Sequence, residues 1–400
     1  MLGVWSALPG IRTETEREGV FLGVIYHDFK ELKLSALGLG FMRMPVIDKK
    51  DDQLDEPACF EMIDYAMAHG INYYDTGWGY HGEMSETVLG KALAKYPRES
   101  FVLADKFPGY DLSTMDKVEW IFEEQLKKCQ VDYFDLYLLH NVCEMNFDPY
   151  MDPKNHIYPY LLEQKKNGRI HHLGFSTHGS LETMKRFLDL CGEGMEFCQI
   201  QLNYLDWDFQ DAKAKVELLR EWGLPIIVME PVRGGRLARL TPEQQAPLRA
   251  LRPQESPAAW AFRFVQSVPG ILVTLSGMSN MDQLRENIGL YEEEKPLNQQ
   301  EWDTLQQVGK ELLAQKSLPC TGCHYCVSHC PQGLDIPMLL NLYNEHYFTG
   351  GGFIAPMALR AVPADKRPEA CIGCRSCEAV CPQQIEISQA MADFTRLLKG

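Results

Sequence analysis

The chain has no run approaching the ~20 consecutive apolar residues that a membrane-spanning helix needs, which leaves no candidate for such a span. It is also short of positive charge. Its 39 Lys and Arg stand against 55 Asp and Glu, a formal net charge of −16, which argues against nucleic acid and anionic membranes as partners. Met1–Ile11 contains a short apolar run but lacks a basic n-region and a small-residue cleavage site, so it does not read as a signal peptide. Thr13–Gly19 is mostly charged without apolar periodicity, and residues 1–23 are expected to form a disordered extension.

Cysteine, by contrast, is abundant, with 13 residues. Eight of them form two copies of one spacing: Cys320-x-x-Cys323-x-x-Cys326-x-x-x-Cys330-Pro331 and Cys371-x-x-Cys374-x-x-Cys377-x-x-x-Cys381-Pro382. Zinc sites favour two separated pairs, and disulfide frameworks suit short secreted chains; neither explains a repeated 2-2-3 spacing with a trailing proline. The spacing is that of two-cluster ferredoxins, in which three cysteines of a run and the fourth of the other run hold one 4Fe-4S cube. On that rule Cys320, Cys323, Cys326 and Cys381 hold one cube, and Cys371, Cys374, Cys377 and Cys330 the other. Gly322 and Gly373 let the loops curl tightly. Oxygen-sensitive clusters and free thiols fit a reducing cytoplasm. Cys59, Cys129, Cys143, Cys191 and Cys198 have no matched spacing and read as ordinary thiols.

From about residue 33 the chain alternates short apolar runs with helical periodicity. Strands are expected at 34–39, 71–76, 101–107, 133–140, 170–176, 197–202, 224–229 and 271–275. Each is followed by a helical pattern, for example Cys59, Met62, Ile63 and Ala66 behind a capping Asp55. Strands apolar on both faces imply a parallel sheet covered by helices. Eight strand–helix units between residues 34 and 290 point to an α/β fold of the (β/α)8 TIM-barrel type; a doubly wound open sheet is the rival, because periodicity does not reveal closure. The expected organisation is a barrel over 24–297, a bridging helix over 298–316, and a small, mainly helical ferredoxin-like domain over 317–400.

A barrel carries its chemistry at the C-terminal ends of its strands. Asp75 ends the second strand, Tyr80 lies just beyond, Lys106 ends the third and His140 the fourth. Taken singly, each has a plain reading: a turn carboxylate, a packed ring, a solvated amine, a structural imidazole. Together they suit carbonyl reduction. A neighbouring ammonium lowers a phenol's pKa toward a useful proton donor, a carboxylate holds the ammonium, and an imidazole orients the carbonyl oxygen. Residues 24 to about 290 resemble the aldo/keto reductase superfamily. Its Asp, Tyr, Lys and His tetrad maps onto Asp75, Tyr80, Lys106 and His140, and Leu37–Pro45 is similar to its first strand and loop. With the cysteine runs, the whole resembles the iron–sulfur branch of that superfamily.

The resemblance implies NADP(H) or NAD(H) across the barrel mouth. The implied contacts are Gly40, Met42 and Arg43 near the start, Ser176 and Gln199 at the carboxamide, and Gly234 and Gly235 at the pyrophosphate. Gly277, Ser279, Gln283, Glu286 and Asn287 follow at the adenosine. The chain departs from the family at Thr177, where Asn is usual, at Met229, where an aromatic ring is frequent, and at Gln283, where an Arg pairs with the 2′-phosphate. Arg233, Arg236 and Arg285 stand nearby but read as exposed, solvated charges. Hydride carries two electrons and each cluster one, so the redox chemistry calls for a flavin, for a ferredoxin or other redox-protein partner, or for clusters that are structural. The leading expectation is an oxidoreductase acting on a small-molecule carbonyl. An electron-transfer module and a non-catalytic nucleotide sensor are the alternatives.

Overall fold

The computed structural model describes residues 23–314, 317–320, 324–381 and 383–399. The expected extension up to residue 22, the expected cluster ligand Cys323, and Gly322 and Pro382 lie outside the described residues.

The chain opens with an antiparallel hairpin, β1 (Tyr26–Phe29) and β2 (Leu32–Ser35). Eight strands follow: β3 (Leu37–Gly40), β4 (Tyr73–Asp75), β5 (Val102–Phe107), β6 (Phe134–Leu139), β7 (Ile170–Thr177), β8 (Cys198–Gln201), β9 (Ile226–Met229) and β10 (Ile271–Ser276). All their pairings are parallel, and β10 bonds both β9 and β3, so the sheet closes into a barrel and the open-sheet alternative falls. Every residue of β5 and β6 is buried, as expected of strands covered on both faces.

The helices, in chain order, are α1 (Glu56–Ala68), α2 (Ser85–Leu93), α3 (Val118–Cys129), α4 (Phe147–Met151), α5 (Ile157–Lys166), α6 (Leu181–Cys191), α7 (Asp206–Phe209) and α8 (Ala212–Glu221). They continue with α9 (Pro242–Leu251), α10 (Pro257–Gln266), α11 (Met281–Leu290), α12 (Gln299–Ala314), α13 (Ile336–Thr349), α14 (Ile354–Arg360) and α15 (Ile387–Leu397). Asp55 caps α1 by accepting from the Ala58 N–H.

Beyond the short helices α4, α7 and α14, two features differ from the expected pattern. The apolar run 34–39 is not one strand. Leu34 belongs to the hairpin, and its side chain packs with Phe29, Tyr73, Leu136, Phe197 and Val273 inside the barrel. The hairpin therefore plugs the end of the barrel opposite the chemistry. The helix α9 was not anticipated. It carries a full capping box, with Thr241 accepting from the Gln244 N–H and the Gln244 side chain accepting from the Thr241 N–H.

The helix α12 packs Leu305 and Val308 into the barrel's outer core. Beyond it, α13, α14 and α15 surround a separate core that includes Leu339, Leu340, Ile387, Met391 and Phe394. A polar bolt joins the two parts. Arg233 is not a solvated charge; it is 4% exposed, and its Nε donates to both oxygens of Asp206 at 3.0 Å while its Nη2 donates to Glu345 of α13. Arg236 likewise donates to the Phe348 carbonyl. Removing one partner of such a network leaves buried charge uncompensated. Arg233→Ala is expected to destabilise the chain by about 3–5 kcal/mol, read by denaturant unfolding. A loss within the ordinary surface range would contradict the burial of this charge.

Candidate active site

The four residues expected at the strand ends meet. Lys106 Nζ donates to Asp75 Oδ1 at 2.6 Å and also to the Thr76 carbonyl. Asp75 Oδ2 accepts from Gln199 Nε2 at 3.2 Å. Tyr80 Oη lies 3.4 Å from His140 Nε2, and Lys106 Nζ lies 5.0 Å from the Tyr80 ring centre. Local backbone explains the placement. Asp75 and Lys106 sit at or near the ends of β4 and β5, and Tyr80 is returned toward the mouth by the turn in which its N–H donates to the Gly77 carbonyl.

Burial sets the charge states. It drives the Lys106 ammonium down, but Asp75 and Tyr80 outweigh it and hold the amine above its ordinary value. Burial raises Asp75, with Lys106 pulling it back. At 2.6 Å, with both carboxylate oxygens hydrogen-bonded, the pair is an ion pair. Burial likewise raises the Tyr80 phenol above its ordinary 10.0, and Lys106 opposes that rise without reversing it. The lowered phenol expected from the ammonium alone is therefore corrected: desolvation wins, and Tyr80 stays protonated. Burial first, then Lys106 and His178, hold His140 well below 6.5, so its imidazole is neutral. His140 Nδ1 is buried without a hydrogen-bond partner.

These groups face a cavity of about 890 Å³ at the barrel mouth. Asp75, Tyr80 and His140 line it, while Lys106 is buried behind them. Gly40, Met42, Arg43, Gln199, Gly234, Gly235, Gly277, Ser279, Gln283, Glu286 and Asn287 line it too. Ser176 does not; it lies behind the wall, its Oγ accepting from the Asn141 N–H at 2.8 Å. Of the three family departures, Met229 and Gln283 face the cavity, whereas Thr177 donates to the Val142 carbonyl. Gly234 and Gly235 hold φ of 64° and 85°, values that favour glycine, and leave bare backbone on the cavity wall. Such a cradle accommodates an extended dinucleotide. At the start of α11 the Gln283 N–H is taken by the Asn280 side chain and the Ser279 N–H by the Gln283 side chain, so these two amides do not await a phosphate.

Several lining residues were not singled out from the sequence. Tyr110 and Tyr80 flank His140 edge-on, with ring centres 5.2 Å and 5.9 Å away. His178 lines the cavity with its pKa down to about 4, burial being the main cause. Its place directly after Ser176-Thr177, at the end of a barrel strand, was the available signal. Phe353, Pro356, Met357 and Arg360 also line the cavity, and they come from the C-terminal region.

In that region Cys330, Cys371, Cys374 and Cys377 line a single cavity. This is the cross-run grouping expected for one cube. Among the described residues the two runs share local features: His324 and Arg375, each next after the second cysteine in sequence, lie in the left-handed region at φ 61° and 60°, and a 3-10 turn follows each third cysteine. Cys320, Cys326 and Cys381 pack in the same small core. The donor set of thiols spread around a hollow fits a 4Fe-4S cube.

The parallel barrel thus carries an ion-paired lysine, a phenol and a neutral imidazole at its mouth. Residues 36–310 match the family model of the aldo/keto reductase family, and residues 319–386 that of a 4Fe-4S dicluster domain. The chain belongs to the aldo/keto reductase family, in the arrangement of its iron–sulfur branch. It is similar to an uncharacterised oxidoreductase, YrpG, of Bacillus subtilis, 26% identical over 226 residues. That match takes in 52% of this chain and 65% of the relative, less than two-thirds of its length. It is 26% identical to the L-galactose dehydrogenase of Arabidopsis thaliana over 308 residues, 72% of this chain and 93% of that protein. A solved aldo-keto reductase from Bacillus halodurans, in its holo form, shares the fold, with a TM-score of 0.57 and 24% identity over 71% of this chain and 96% of that one. Among the described residues no helix is long and apolar enough to cross a membrane.

Proposed function

We propose that the chain interconverts carbonyl compounds and alcohols with NADP(H) or NAD(H), and that Tyr80 is the proton donor. The observation that carries this reading is the convergence of the Tyr80 hydroxyl and the His140 imidazole, 3.4 Å apart, over the Asp75–Lys106 pair. A reduced nicotinamide, when bound, supplies a hydride, which is two electrons in one step. The carbonyl oxygen that gains charge takes its proton from Tyr80 Oη. His140, neutral, hydrogen-bonds that oxygen and orients it without competing as an acid. Lys106 stabilises the phenolate left behind, and Asp75 keeps Lys106 charged and in place. Gln199, Gly234, Gly235, Gly277 and Ser279 would hold the dinucleotide along the cavity. The test is anaerobic purification followed by nicotinamide oxidation with a panel of aldehydes and ketones. No turnover on any of them, with cofactor bound, would sink the reading.

The dinucleotide's far end allows a sharper test. Gln283 stands where the family's frequent Arg pairs with a 2′-phosphate, and Glu286 beside it carries a negative charge. Gln283→Arg is therefore expected to improve the KM ratio of NADPH to NADH by about tenfold. An unchanged ratio would place the adenosine elsewhere.

A second reading gives the clusters, which carry single electrons, a redox-protein partner such as a ferredoxin. Tyr325 and Ile372, 62% and 63% exposed beside the cysteines, favour it. A flavin in the extract of anaerobically purified protein, with no carbonyl turnover, would shift the balance to that reading.

A further inference from the structure

The helix α14 belongs to the C-terminal region by its position in the chain, yet it walls the barrel cavity. Phe353, Pro356, Met357 and Arg360 recur at the spacing of one helix face, and all four line the cavity that holds Tyr80 and His140. Met357, 9% exposed, accepts a hydrogen bond from the Asn141 side chain and packs on Cys143 and Met145. Phe353 meets His178 edge-on, with ring centres 5.3 Å apart. The preceding α13 is fastened to the barrel by Glu345, which accepts from Arg233 and, at 2.8 Å, from Gln210. The wall is seated on the loops after β6 and β7.

The charges of the cavity are unevenly matched. Asp75 is taken by Lys106, Glu230 by Arg43 at 3.3 Å, and Glu286 by the Ser256 hydroxyl. Two arginines of the cavity wall, Arg239 and Arg360, are exposed and make no ion pair among the described residues; of the two, Arg360 stands on the same face as Phe353 and Met357. A guanidinium's planar fork matches a carboxylate bidentately. We propose that α14 selects the substrate of the barrel site, and that this substrate is a carbonyl compound carrying a carboxylate. Its apolar body lies against Phe353 and Met357, and its anionic end pairs with Arg360. The proposal rests on the carbonyl-reduction reading.

The test compares 4-carboxybenzaldehyde with its methyl ester on the full-length holoprotein. Arg360→Ala should lower the acid-to-ester ratio of kcat/KM by about tenfold or more, mainly through the KM of the acid, and Arg360→Lys should recover part of it. Phe353→Ala should raise KM for acid and ester alike, by about tenfold. Benzoate binding, followed by protein fluorescence against benzamide as the neutral control, gives a readout without turnover, and Arg360→Ala should weaken benzoate alone. Turnover of both aldehydes with an unchanged ratio would overturn the subsite and leave carbonyl reduction standing. Arg360-dependent benzoate binding without turnover of either aldehyde, or of any member of the carbonyl panel with cofactor bound, would support the anion subsite and remove carbonyl reduction.

Discussion

Tyr80→Phe is expected to lower kcat for carbonyl reduction by about a thousandfold, within the range that a positioned acid contributes, while nicotinamide affinity stays within about twofold. The ring is retained, so packing against His140 survives and only the proton is lost. Full activity in this variant would refute the assignment of the acid. The electrostatics add a pH dependence. Reduction needs the phenol protonated and the imidazole neutral. Burial raises Tyr80 above 10.0 and lowers His140 below 6.5, so kcat/KM should be level between those two values. It should fall only where rising pH passes the raised phenol value or falling pH passes the lowered imidazole value. A descending limb centred near neutrality would mean that another group supplies the proton.

Cys330→Ser is expected to remove the cube whose other ligands lie in the later run, because Cys330 lines one cavity with Cys371, Cys374 and Cys377. Iron should drop from about eight to about four atoms per chain. The surviving paramagnetic signal should match that of Cys377→Ser and differ from that of Cys326→Ser. If Cys330→Ser instead matched Cys326→Ser, each run would hold its own cube and the crossed grouping would be wrong. The serine substitution keeps the size of the side chain, so the comparison turns on ligation more than on packing.

Much of this was readable in advance where local chemistry decides the outcome. Strands such as Ile226–Met229 are apolar on both faces, the pattern of a covered parallel sheet. The tetrad was readable because strand ends mark the mouth. The hairpin was not, because its turn, Phe29-Lys30-Glu31-Leu32, lacks the glycine or asparagine that usually signals one, although Lys30 holds φ of 52°. The helix α9 announced itself in Thr241-Pro242-Glu243-Gln244, and Pro247 inside it masked the pattern. Arg233 could not be read. Its partner Glu345 lies 112 residues away, and nothing local says that a guanidinium beside two glycines is buried. The stripe from Phe353 to Arg360 shows a helix face, but that this face looks into a different part of the chain follows only from the tertiary contacts.

The course of α13 has a mechanical consequence. Its first residue, Ile336, lines the cysteine-bound hollow, and Glu345 engages Arg233 at the barrel. Nine residue steps of helix separate them, roughly 14 Å of stiff rod at 1.5 Å per residue. Metal insertion at one end and the seating of the roof at the other would thus be two ends of a single strut, and a tilt imposed at the cysteines would be felt as a displacement at the mouth of the barrel cavity.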